Sequence, residues 1–193
     1  MRTSEPVNKS FIILILLLLL AACKNTPVPK PRGHFRIDFP AKEYTLYNTD
    51  CPFTFEIPVY SLIADDPSIS ELCWFNIDFP DFNGKIHLTY KTVNNNLALL
   101  TEDAHKLAYE HSIKADAIEE REWKNSQKNV FGIIYNIKGN AASSVQFFVT
   151  DSLSHYLRGA LYFNSQPDKD SLAPVIDFFR QDIIHMIETL EWK

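Results

Sequence analysis

Only five of the 193 residues are glycine, and no two of them lie two apart. The dinucleotide fingerprint G-x-G-x-x-G and the phosphate-cradling P-loop both need closely spaced glycines, so nucleotide chemistry of those kinds is excluded. Positive charge is also short. Lys and Arg number 19 against 24 Asp and Glu, a formal net charge of −5. A nucleic-acid binder held by a basic patch needs the opposite balance, so no nucleic-acid partner is expected. The histidines show no metal-binding pattern. Neither H-E-x-x-H nor C-x-x-C occurs, and His105 and His111 would stand roughly 600° apart around a helix, on different faces. G-x-S-x-G is absent, and Ser154 and His155 are neighbours that point to opposite faces of a strand. Asp65-Asp66 beside Pro67 reads as a turn. No catalytic residue, metal or cofactor is assigned, and the chain is expected not to be an enzyme.

The composition is otherwise that of a folded globular protein, with 46% apolar and 22% charged residues. The apolar run Phe11–Leu20 is too short to span a bilayer, which takes about 20 residues, and it follows Arg2 and Lys9. Residues 1–22 therefore read as a signal peptide. The run ends in Leu20-Ala21-Ala22-Cys23, which resembles the bacterial lipobox. Small Ala21 and Ala22 fit a signal-peptidase cleft. The Cys23 thiol is the nucleophile that takes a diacylglycerol, and the amine freed by cleavage can take a further acyl chain such as palmitate. Two or three chains anchor a protein stably, where one is marginal. Lys24 follows the lipidated position. Asp there would indicate inner-membrane retention in Gram-negative bacteria, and no acidic cluster of the surface-export kind precedes Asp38. The expected place is the outer membrane, on its periplasmic face. Residues 23–34 are the lipidated cysteine and a tether. Pro27, Pro29 and Pro31 alternate with Val28, Lys30 and Arg32, so this stretch is expected to be extended and stiff.

Residues 35–193 suit one domain. Period-2 alternation marks Phe35–Phe39, Phe53–Ile57 and Cys73–Phe79 as strands, and each run is followed by proline. Asn83-Gly84 signals a hairpin into Lys85–Lys91, with both residues free to take φ > 0. A helix follows from Leu97, with Glu102 and Asp103 near its start. Residues 117–124 form a charged strand near an edge. Val130–Lys138, Ser144–Thr150 and His155–Phe163 continue a meander. A final helix runs from about Ser171 to Leu190, with Pro174 in its first turn and Asp170 or Ser171 as its cap. The fold class is α/β of the α+β kind: a mostly antiparallel sheet with flanking helices. The layout is similar to the PsbP-like α/β/α sandwich, an analogy that implies no activity.

With Cys23 committed to lipid, Cys51 and Cys73 remain. The periplasm permits a disulfide between them, and two buried free thiols is the other reading. Most aromatics fall on inward strand positions. Trp74 alternates with the core positions and is expected under a helix on the second sheet face. Phe82, beside the hairpin tip, is the better candidate for an exposed contact anchor. Asp151-Ser152-Leu153 and Asp170-Ser171-Leu172 resemble O-glycosylation sites of Bacteroidota at Ser152 and Ser171, but a turn and a helix cap explain both motifs.

The stretches Pro29–Pro40, Cys51–Pro58 and Gly84–Lys91 resemble the GldD family of gliding-motility lipoproteins of Bacteroidota, and the resemblance extends over essentially the whole chain. It implies a non-enzymatic lipoprotein of the gliding and type IX secretion machinery, with other subunits of that machinery as partners. Arg32, near the end of the tether, and Arg36, just after it, are the candidate partner contacts, because guanidinium makes forked bonds to carboxylates. The alternative is a lipid-anchored periplasmic binding module for a small ligand or glycan.

Overall fold

The computed structural model of the chain describes residues 36–64 and 71–193. Its larger compact unit spans Ile37–Lys193. The chain order is β1 (Tyr44–Asn48), β2 (Phe53–Pro58), β3 (Leu62–Ala64), β4 (Trp74–Phe79) and β5 (Gly84–Thr92), then helix α1 (Leu97–Tyr109). The meander β6 (Ala115–Asn125), β7 (Val130–Gly139), β8 (Ser143–Thr150) and β9 (His155–Phe163) follows. Helix α2 (Lys169–Thr189) and the two-residue strand β10 (Glu191–Trp192) close the chain. Seven strands form one sheet in the order β3-β4-β5-β9-β8-β7-β6, and β1-β2-β10 form a second. Every pairing is antiparallel. The fold is therefore the expected mostly antiparallel α/β class, with its strands divided between two sheets.

Alternation along the strands builds two cores, one on each face of the large sheet. Val145, Phe147 and Val149 of β8, with Leu157 and Leu161 of β9, face α2 and the aromatic side of β2. Phe148 and Tyr156 face the other way, onto Leu100, Ala104 and Ala108 of α1. Gly159 sits where the ring of Phe147 crosses its strand. A Cβ there would lie 2.2 Å from that ring, so only glycine lets the ring reach the core. β6 is at the edge, as its charge pattern predicts, and the charges guard that edge against pairing.

Several expectations are corrected. Residues 36–43 form no strand, and Phe35 lies outside the described residues. Ile37 and Phe39 alternate because an extended segment lies on the core, but no ladder partner runs beside them. In the β4–β5 hairpin a short 3₁₀ turn, Pro80–Phe82, precedes Asn83, and only Asn83 takes positive φ; Gly84 already belongs to β5. Helix α2 starts before Ser171. Its cap is Asp168, whose carboxylate accepts from the backbone N–H of Asp170 and Ser171. Pro174 consequently falls in the second turn, where the N–H it lacks is the i+4 donor to the Asp170 carbonyl near the exposed helix start. Glu102 and Asp103 lie past the first turn of α1. Asp65-Asp66 lies outside the described residues.

Cys51 and Cys73 are joined by a disulfide with Cα atoms 5.7 Å apart. The bond links the start of β2 to the start of β4, and so ties the small sheet to the large one. Closing a loop of this length stabilises by about 3 kcal/mol on the chain-entropy model. Cys51→Ala with Cys73→Ala is expected to lower the unfolding free energy by about that amount in urea titration. No change in the urea midpoint would show that the bond adds nothing.

Candidate functional site

The chain leading into β1 forms a strap, residues 37–43, that side chains rather than a ladder hold on α2. The Phe39 ring stacks on Phe178 of α2 at 4.4 Å between centroids and faces Phe82 at 5.9 Å. Phe82 also meets Phe179 edge-on at 5.3 Å. It is half-buried in this aromatic stack, which corrects its reading as an exposed tip anchor. Trp74 is half-buried on the α1 side, beside Leu100 and Leu107, and its indole N–H donates to the Tyr90 carbonyl at 2.8 Å.

Three residues beyond Phe39, Lys42 reaches a carboxylate in the interior. Asp182 of α2 is only 2% exposed. Its Oδ1 accepts from Lys42 Nζ at 2.6 Å and from the Tyr44 hydroxyl at 2.9 Å, while its Oδ2 accepts from the Tyr60 hydroxyl at 2.7 Å. Lys42 Nζ also donates to the Phe178 carbonyl at 2.9 Å and sits 3.2 Å from the centre of the Phe178 ring. Beside this cluster Tyr44 stacks on His185 at 3.6 Å, and His185 Nε2 lies 2.6 Å from Glu56. A buried carboxylate with donors on both oxygens is a fastener rather than a free base. Burial, and then the hydrogen bond to Asp182 and its charge, push the Tyr44 and Tyr60 hydroxyls well above the usual tyrosine range. Burial lowers Lys42, and Asp182 opposes that shift.

Next to the fastener lies an open groove of about 620 Å³, lined by Ile37, Phe39, Tyr60, Phe82 and Val175 among others. Of the residues singled out from sequence, Arg36 is exposed just before the strap. Arg32, Cys23 and the lipobox residues Leu20, Ala21 and Ala22 lie outside the described residues. Ser152 is exposed at the β8–β9 turn with φ of 70°, and its backbone N–H donates to Thr150 Oγ1. Ser171 lies in the first turn of α2, its hydroxyl donating to Asp168. Structure does not bring these two serines to the strap. Asp182 was missed, although one signal was available: an acid on the apolar stripe of α2, three residues after Phe179 and four before Met186. Its partners, more than a hundred residues away in sequence, left no comparable trace.

The family described as gliding motility lipoprotein GldD matches residues 24–192. The chain belongs to the GldD family. As a gliding motility lipoprotein it is membrane-associated through lipid and takes part in gliding motility. No helix among the described residues is long and apolar enough to cross a membrane. No curated protein matches the chain. Among solved structures it is similar to the solution structure of cyanobacterial PsbP (CyanoP) from Synechocystis sp. PCC 6803, with 11% identity and a TM-score of 0.49, over 86% of this chain and 99% of that one.

Asp182→Asn is expected to cost this GldD-family domain about 3 kcal/mol in urea unfolding, since it leaves Lys42 without its counter-charge. Lys42→Met should cost as much, because it leaves the more deeply buried partner uncompensated. The alkaline side tests the tyrosines. Their folded-state values lie above the unfolded one, so their contribution is whole below about pH 10 and is lost as pH rises beyond it. Lys42, shifted downward, works in the opposite sense but is one group against two. The stability difference between wild type and Tyr44→Phe/Tyr60→Phe should therefore shrink between pH 8 and pH 11, and a difference that grows would contradict the network.

Proposed function

We propose that the protein is a non-catalytic assembly component of the gliding and type IX secretion machinery. It is held by lipid at Cys23 on the periplasmic face of the outer membrane and acts through contacts with other subunits. The observation that carries this reading is the strap. The segment that follows the tether is fastened by Phe39 and Lys42, and it borders an open groove with an aromatic rim. A fastened segment next to a lipid anchor holds its neighbouring surface at high effective concentration toward other membrane-held proteins, so weak contacts suffice. Arg32 and Arg36 stand just before it in sequence and are the proposed polar anchors of the contact.

The two layers of the reading are tested separately. Cys23→Ala should abolish acylation, seen as loss of the lipid mass, and release the protein from the outer-membrane fraction. Wild-type protein without lipid at Cys23 would remove the anchor from the argument, and digestion of the domain by protease added to intact cells would place it on the outer surface instead. Arg32→Glu with Arg36→Glu should stop gliding and adhesin export while leaving lipidation and the melting curve unchanged. Normal gliding and export in that variant would show that the partner contact lies elsewhere.

A further inference from the structure

A second groove, of about 430 Å³, runs between α1 and the large sheet. Its floor is set by strand register: Trp74 of β4 pairs with Thr89 of β5, and Thr89 pairs with Arg158 of β9. One step along, Lys91 pairs with Tyr156. Lys106, Leu100 and Leu107 line the wall formed by α1. We propose that this groove binds an acidic peptide segment of another protein, with carboxylates toward the floor and apolar side chains against Trp74 and Leu107. The proposal rests on the contact-making reading above, though not on the tether-proximal surface.

The cations carry the argument. Lys42, Lys85, Lys128, Lys138 and Arg180 each have a carboxylate within ion-pair distance. Lys91 and Lys106 have none among the described residues and are exposed. Arg158 has only a neutral partner there: its Nη2 donates to Gln146 Oε1 at 2.6 Å. Gln146 is 1% exposed, so a fully buried amide positions the guanidinium and leaves its other donors for a ligand. Three such cations converge on one groove in a chain whose net charge is negative.

The walls are also fixed. The Trp74 indole is bonded to the Tyr90 carbonyl, and the Tyr156 hydroxyl donates to the Leu100 carbonyl at 3.0 Å, which pins the helix wall. A site ordered in advance loses less freedom on binding. Asp103 and Glu110 flank Lys106 on that wall. They would repel a uniformly anionic membrane surface or a bare phosphate that filled the groove. A peptide can turn backbone N–H groups toward them while its carboxylates meet Arg158 and Lys91.

The test uses the full lipoprotein in non-ionic detergent and a labelled, acetylated and amidated peptide of alternating glutamate and leucine. Its counterpart with glutamine in place of glutamate has similar apolar content, so detergent partitioning cancels. Fluorescence anisotropy should show salt-sensitive binding of the acidic peptide, about tenfold weaker for the glutamine peptide. Lys91→Glu with Lys106→Glu changes exposed side chains only and should weaken binding at least about tenfold with an unchanged melting temperature. Arg158→Gln should weaken it similarly. The proposal is overturned if the two peptides bind equally, if the double reversal leaves affinity intact, or if phosphate or phosphatidylglycerol vesicles bind the groove while the acidic peptide does not. Because binding is read in vitro, its failure is separate from any effect of Arg32 and Arg36 on motility.

Discussion

Every residue of β8 is buried, from Ser143 to Thr150. A strand closed to water on both faces needs a covering layer on each, and most of the architecture follows from that requirement. One face receives α1. The other receives α2 together with β2, whose Phe53, Phe55 and Ile57 complete the core. The small sheet is therefore a lid on the large one rather than a separate unit, and the Cys51–Cys73 bond crosses between the two at the place where no ladder does. Gly159 belongs to the same requirement, since the ring of Phe147 needs the space a side chain would take.

Covering both faces also buries polar groups, which cost free energy wherever they find no partner inside. Gln146 Oε1 accepts from Arg158 although its Nε2 is left without a partner, and Asn76 lies 2.5 Å from His87 Nδ1. Asp182 is the costliest case because it is an acid on the apolar stripe of a helix. The fold recruits three donors for it from Lys42, Tyr44 and Tyr60, one of them charged. The cost of desolvating the carboxylate offsets much of the attraction, so the cluster adds less net stability than its short distances suggest. What it adds is position. Only one placement of the strap brings Lys42 Nζ to Asp182 Oδ1 and the Phe178 carbonyl while Phe39 stacks on the Phe178 ring.

The long, strongly patterned elements were legible in the sequence. β2, β4, β5, β7, β8 and β9 announced themselves by alternation, and α2 by its stripe. Three short strands did not. β3 and β10 have three and two residues, too few to show a period, and exist because β4 and β2 offer them an edge. β1 alternates only weakly, with Leu46 exposed. Phe35–Phe39 shows the converse error. Alternation reports that successive side chains point opposite ways, which any extended segment on a core does; a strand also needs a hydrogen-bonded neighbour. The fastener and the α1 groove were illegible for a related reason. Both join residues through tertiary contact, and the Trp74–Thr89–Arg158 row exists only once the register of three strands is fixed.

Under the proposed lipid anchor at Cys23, the fastening of the strap has consequences beyond stability. For a chain anchored at Cys23, the reach to the domain would grow with the number of residues between the anchor and the first fastened one. Residues 24–34 alone span at most about 35–40 Å when extended. If Phe39 and Lys42 let go, the strap residues 37–43 would add about 25 Å to that reach. The volume searched grows steeply with reach, so the effective concentration of any surface on the domain toward a membrane-held partner falls with it. Weak contacts of the kind proposed for the strap region or for the α1 groove depend on that concentration. On the proposed anchoring, a buried carboxylate at position 182, far from Cys23 in sequence, would thus limit how far the domain can stray from a membrane-held partner.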